Sequence, residues 1–402
     1  MREPVRDWPP GRPRVLVTDG WLANAGDLAI ALAVDGLVRS IWDDAAVLHA
    51  AYHADLVGHE APELIFVPPL DALLGVDGSD ARPDDWTSAR GEHLVEDTDV
   101  VVSQGGGFLL EHYQPWRRLF AFARVVDLGV PLAIIGQTIG EFRAARARAL
   151  LRRSLGAAAA VAVRDAPSVD HAVELGADPT HVTHTSDLTL LLFPAPPLPA
   201  EGPPPSGVAV VLTRHEQQAL GGERDRVQLS TRVLAEVLDR TGDERVTVLS
   251  TVQGLGGRGF EDDSEVAAAA VAALEPSRQR RVDTIDGYVG PRAAIDALAR
   301  HRAVVSQRLH PGLFGLAQGI PTAVLVDADK IGVLDGVHLG PARCIRPTDS
   351  HARRAALDTA LAPNARRGTD LWESLAPARE RAARNRDALA AVLPSATAAG
   401  LA

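Results

Sequence analysis

Short apolar runs alternate with stretches of helical periodicity along most of the chain. In the first half, RVLVT (14–18) precedes a helical pattern over 27–41, and DVVVSQ (99–104) precedes one over 113–128. PLAIIGQ (131–137) precedes a helix over 143–155, and AAVAV (159–163) precedes one over 167–175. The second half repeats this rhythm. VAVVL (208–212), RVTVLST (245–251), AVVSQ (303–307) and TAVLV (322–326) predict strands, and helices are expected over 225–241, 261–274, 291–300 and 311–318. A run that is apolar at successive positions has no wet face, so these are parallel strands covered by helices on both sides. The expected fold class is α/β, with two Rossmann-like domains facing each other across a cleft. No internal repeat is evident.

The stretch PAPPLPAEGPPPSG (194–207) has no periodicity and reads as a stiff linker. It separates an N-terminal domain (1–193) from a C-terminal one (208–350), and an Ala/Arg-rich helical tail (351–402) is expected to pack back. The charge narrows the function classes. With 41 basic against 52 acidic residues, a net charge of −11 and no basic run, nucleic acid is not an expected partner. A single cysteine, Cys344, excludes an intramolecular disulfide framework or a multi-cysteine zinc site. No apolar run approaches the roughly 20 residues of a membrane span. The opening MREPVRDWPPGRPR lacks the apolar core of a signal peptide, so a cytoplasmic protein is expected.

Chemistry should lie just beyond the carboxyl ends of the strands, where ligands of parallel α/β sheets bind. Gly105-Gly106-Gly107 after DVVVSQ would let the backbone approach a ligand, with a following helix offering N–H groups; a plain tight turn is the alternative. Asn24-Ala25-Gly26-Asp27 opens a helix, with Asp27 either its N-cap or a ligand for sugar hydroxyls. In Ser306-Gln307-Arg308-Leu309-His310-Pro311, Arg308 and His310 stand two apart in a segment read as extended. They would then point the same way, with Pro311 in the first turn of the next helix. Lys330, the only lysine in the chain, follows the next strand. It is either a survivor of a strong arginine bias or a site where a compact ammonium is needed. Arg164 and Arg214 follow two further strands, and four cations at one cleft would suit a small, strongly anionic ligand. Gly254 to Gly259 matches G-x-G-x-x-G, but Glu261, Asp262 and Asp263 behind it would repel a pyrophosphate.

The ordered set Asn24-Ala-Gly-Asp27, Gly105-Gly-Gly107, IIGQTIG (134–140), VRDAPS (163–168), Ser186-Asp187, Arg308-Leu309-His310, Gly319-Ile320-Pro321 and Lys330 resembles the polysaccharide pyruvyl transferase family over roughly residues 15–335. The resemblance implies a GT-B-like fold. It also implies transfer of the pyruvyl group of phosphoenolpyruvate (PEP) to two hydroxyls of a sugar, with release of phosphate and no metal or other cofactor. His310 would be the acid/base residue, and Arg308, Lys330, Arg164 and Arg214 would hold PEP. Asn24, Asp27, Gly105 and Gly106 would line the acceptor side. Leu188, where the family usually has proline, and Asp327-Ala328-Asp329, where members often carry an aromatic, depart from the pattern on that side. A nucleotide-sugar glycosyltransferase and a non-catalytic sugar- or phosphate-binding protein are the competing readings.

Overall fold

The computed structural model describes residues 8, 11–76, 88–195, 205–213, 223–252, 262–326, 330, 332–334, 344–365 and 367–392. Arg214, the Gly254–Gly259 motif, Asp327-Ala328-Asp329 and most of the expected linker lie outside them. The chain divides into two compact units. The first comprises residues 1–22, 27–191 and 379–402; the second comprises 23–26 and 192–378. Set against the expected boundaries, the short segment 23–26 groups with the second unit and the end of the tail with the first.

The first unit holds a parallel sheet of β1 (Arg14–Trp21), β2 (Ala46–Tyr52), β3 (Phe66–Val67), β4 (Val100–Ser103), β5 (Gly106–Leu109), β6 (Leu132–Ile139), β7 (Ala160–Val163) and β8 (Val182–His184). Its order is β3-β2-β1-β4-β6-β7-β8, with β5 added to β6. The second unit holds β9 (Val208–Val211), β10 (Val246–Ser250), β11 (Val282–Tyr288), β12 (Ala303–Ser306), β13 (Thr322–Leu325) and β14 (Cys344–Ile345), in the order β11-β10-β9-β12-β13-β14. The central strands are buried along their whole length, as their unbroken apolar runs require. In each sheet the winding direction reverses once, between β1 and β4 and between β9 and β12. Such a reversal leaves a crevice at the carboxyl ends of the two strands, and it carries Ser103-Gln104 in one unit and Ser306-Gln307 in the other.

The second core is closed by the helix Ser350–Ala360, whose Ala356, Leu357 and Ala360 pack on it. The same helix carries Arg353, only 1% exposed. Its guanidinium forks onto both carboxylate oxygens of Glu236 at 2.9 and 2.8 Å and also donates to the Pro347 carbonyl. That pairing holds the Glu236 carboxyl below its ordinary value. A depressed carboxyl stabilises the fold at pH above its unfolded value, and this contribution is lost as pH falls through the folded value. Arg353→Met is therefore expected to cost about 2–3 kcal/mol at neutral pH, Glu236 staying partly solvated, and less in acid. Denaturant titrations of both proteins across pH 3–7 check this; an equal difference at every pH would contradict it.

Candidate active site

Buried β12 ends in Ser306, whose hydroxyl donates to the Arg308 carbonyl (2.6 Å) and accepts the Arg308 N–H (3.1 Å). This tight turn carries the chain from strand to helix within two residues. Gln307 N–H donates to the Val211 carbonyl at 2.8 Å, and its side-chain oxygen accepts from the Ser230 hydroxyl at 3.1 Å. The turn is thus tied to β9 on the other side of the switch point.

Arg308 (φ −111°, ψ 138°) stands immediately before the helix Leu309–Ala317. His310 is therefore the second residue of that helix. The expectation that Arg308 and His310 share one face of an extended segment is corrected accordingly: the helix starts two residues before Pro311. Proline is tolerated in a first turn, where its N–H would have no intrahelical acceptor. The whole helix is buried. A Cβ on Gly312 would lie 2.8 Å from Val324 Cγ2, and one on Gly315 would lie 2.6 Å from Thr322 Oγ1, so glycine at both positions lets the helix close onto β13.

Arg308 is 5% exposed and ion-paired with Asp263, which is fully buried. Its Nε and Nη2 donate to Oδ2 and Oδ1 at 3.1 and 2.8 Å, the bidentate fork that fixes a guanidinium in one plane. Asp263 opens the helix Asp263–Ala272, and Asp262 caps it by accepting the Ser264 N–H at 2.8 Å. Two of the three carboxylates read in the sequence as repelling an anion thus have local roles, Asp262 as a cap and Asp263 with its charge compensated by Arg308, while Glu261 lies outside the described residues. Lys330 is half-buried and follows β13, which pairs in parallel with β12. Arg308, His310 and Lys330 consequently follow adjacent strands at one edge of one sheet.

Asn24 is also part of this unit. It bridges Val252 in antiparallel fashion, the next residue's N–H donates to the Thr251 carbonyl at 2.9 Å, and the Asn24 side-chain oxygen accepts the Gly26 N–H at 2.9 Å. Asn24, rather than Asp27, caps the helix Ala25–Ile41; Asp27 lies in its first turn, where a carboxylate meets the positive end of the helix dipole.

In the first unit the switch point is lined by Asp19, in the left-handed region at φ 81°. Its carboxylate accepts from the Ser103 hydroxyl (2.5 Å) and pairs with Arg118. Burial pushes the Asp19 carboxyl up, against the pull of Arg118 and Ser103. Thr18, Asp19, Tyr52, Asp71 and Arg118 line a small polar pocket here. Arg164, after β7, is buried with partners distant in sequence: Nη1 donates to Asp187 at 2.7 Å and Nε to the Thr138 hydroxyl at 2.9 Å. Like Arg308, it carries its own counter-ion, so these two strand-end arginines add less uncompensated charge than the sequence suggested.

The glycine segment differs from its reading. Gly106–Leu109 forms β5 against β6, a single 3-10 turn follows at Glu111–Tyr113, and the α-helix begins only at Trp116. A Cβ on Gly105 would lie 2.8 Å from the Gly136 carbonyl oxygen and 2.9 Å from Leu188 Cδ1, so close packing accounts for that glycine. Gly106, at φ 141°, needs glycine for its backbone. Asp19 and Arg118 were missed by sequence reasoning, and Asp263 was read only as a repelling charge, not as the partner of Arg308. A polar residue directly after the buried run RVLVT was the available signal for Asp19; nothing local marks Arg118 or the pairing of Asp263 with Arg308.

A family model described as polysaccharide pyruvyl transferase matches residues 24–327. No curated protein matches the chain. Among solved structures, a putative UDP-N-acetylglucosamine 2-epimerase from Listeria monocytogenes is similar at 16% identity and TM-score 0.56, covering 95% of this chain and 94% of that one. The UDP-GlcNAc 2-epimerase from Neisseria meningitidis bound to UDP-GlcNAc gives 12% and 0.57, with coverages of 93% and 98%. The Anabaena protein HepE in complex with UDP gives 11% and 0.58, with 94% and 98%. At these identities the likeness concerns the fold, which is GT-B-like with two Rossmann-like domains.

Proposed function

Since the chain belongs to the polysaccharide pyruvyl transferase family, we propose that it transfers the pyruvyl group of PEP to two hydroxyls of a sugar or glycoconjugate. The products are a pyruvate ketal and phosphate. The observation that carries this reading is the trio at the edge of the second sheet. A guanidinium held in plane by Asp263 stands one residue before a helix whose second residue is His310, with Lys330 after the neighbouring strand. PEP bears a phosphate and a carboxylate on one carbon, and a fixed guanidinium, an ammonium and a helix N-terminus are chemically suited to them.

In this reading His310 donates a proton to the methylene carbon C3 of PEP, and positive charge develops at C2. The first sugar hydroxyl adds to C2 with loss of its proton. The C2–O bond to phosphate then breaks, phosphate leaves, and the second hydroxyl closes the ketal. Of the two hydroxyl protons lost, one restores His310 and the other leaves with phosphate or solvent. Arg164 and Arg214 are proposed as further donor contacts. Asn24, Asp27, Gly105 and Gly106 are proposed on the acceptor side, Asn24 and Gly105 through backbone placement.

The test is incubation with PEP and a panel of sugars, nucleotide sugars and lipid-linked sugars, followed by phosphate assay and mass spectrometry of the acceptor. Phosphate release matched by an acceptor that gains one pyruvate less one water is expected. Consumption of a nucleotide sugar with PEP untouched would instead assign glycosyl transfer.

A further inference from the structure

Gly26 lies in the helix Ala25–Ile41 with no left-handed φ, so its backbone does not require glycine, and alanine is ordinarily the better residue in a helix. Its immediate surroundings supply another reason. A Cβ at Gly26 would stand 1.9 Å from Nδ1 of His310, 2.5 Å from its Cγ and 2.9 Å from its Cε1. All three nearest atoms belong to one imidazole, whose Nδ1 edge is turned onto the glycine. Nε2, across the ring, is the nitrogen turned away from it.

Both sides of this contact are fixed. Residues 24–26 form a strap tied to the end of β10 by the Asn24–Val252 bridge and the Ala25–Thr251 hydrogen bond, and the Asn24 side chain locks the Gly26 N–H. Opposite, His310 sits on a wholly buried helix pressed against β13. We propose that Gly26 is a positioning residue: the strap Asn24–Gly26 forms the wall that sets the His310 ring and makes Nε2 the nitrogen that handles the proton. The proposal rests on the reading of His310 as the acid/base group. It gives Asn24 a role in orienting that group.

The experiment is NMR of the full-length protein carrying 13Cε1-labelled histidine, the His310 signal among 13 histidines being identified by its loss in His310→Gln. Gly26→Ala is expected to move that signal and to lower turnover about 100-fold, the scale of a misplacement near 1 Å, with KM for PEP unchanged. Asn24→Ala should move it less, and Asn24→Asp, which keeps an oxygen to accept the Gly26 N–H, should return it towards its original place. Gly36→Ala, in the same helix with open space beyond it, should move neither signal nor turnover. A His310 signal and turnover unchanged in Gly26→Ala would overturn the proposal. Should that variant fail to fold, an unmoved signal in Asn24→Ala does so. If Gly26→Ala moves the signal but PEP leaves the wild-type signal unmoved, the contact stands and the donor assignment falls.

Discussion

His310→Gln is expected to lower turnover by about 10²–10⁴-fold, the usual contribution of a positioned general acid, while PEP still binds. Glutamine is comparable in size and polar, so it suits a slot in which the imidazole is only 9% exposed. Its amide cannot deliver a proton to carbon, and that is the step the histidine serves. Binding survives because the charges proposed to hold PEP belong to Arg308 and Lys330. Phosphate release gives the first quantity and calorimetric titration with PEP the second. Near-wild-type turnover would remove His310 from the reaction, and lost binding with lost turnover would make it a binding group.

The second large effect is on folding. Arg308→Ala takes the bidentate partner away from Asp263, a carboxylate with no exposed surface, and should destabilise the protein by about 3–5 kcal/mol. Because most of that cost is the buried charge left behind, Arg308→Ala/Asp263→Ala should recover much of it. PEP binding should be lost in both, since neither contains the guanidinium. Denaturant unfolding of the single and double variants measures the coupling. A double variant less stable than the sum of the two single changes would contradict the account. Lysine is no remedy at position 308, because an ammonium cannot reproduce the planar fork.

These residues also show what the sequence discloses. The unbroken apolar runs at 14–18, 99–104, 131–137, 208–212 and 303–307 announce buried parallel strands, and each is a strand. β2 (AVLHAAY), broken by His49, and β11 (VDTIDGY) went unpredicted; β11 lies at a sheet edge with residues 283–285 and 287 exposed, so it needs no unbroken apolar run. At the site, local rules place Arg308 and His310 at a strand end, but the helix start two residues earlier depends on the Ser306 turn. Asp263 looks like a repelling charge from its neighbours alone; its partner lies 45 residues away, a distance only the fold closes. Gly26 has no local signature at all, since what excludes a side chain there is an imidazole that is remote in sequence.

The central claim is that PEP is the donor, and thermal unfolding at matched ionic strength tests it most directly. The wild-type protein and Lys330→Ala are compared with PEP, phosphate, NAD and UDP-sugars. A ligand at 100 times its Kd adds about 2.7 kcal/mol, a rise in Tm of roughly 5 °C or more for domains of this size. The account predicts that PEP raises Tm in the wild type, that Lys330→Ala abolishes the rise, and that NAD and UDP-sugars have no effect. A rise with a UDP-sugar or NAD and none with PEP would contradict it.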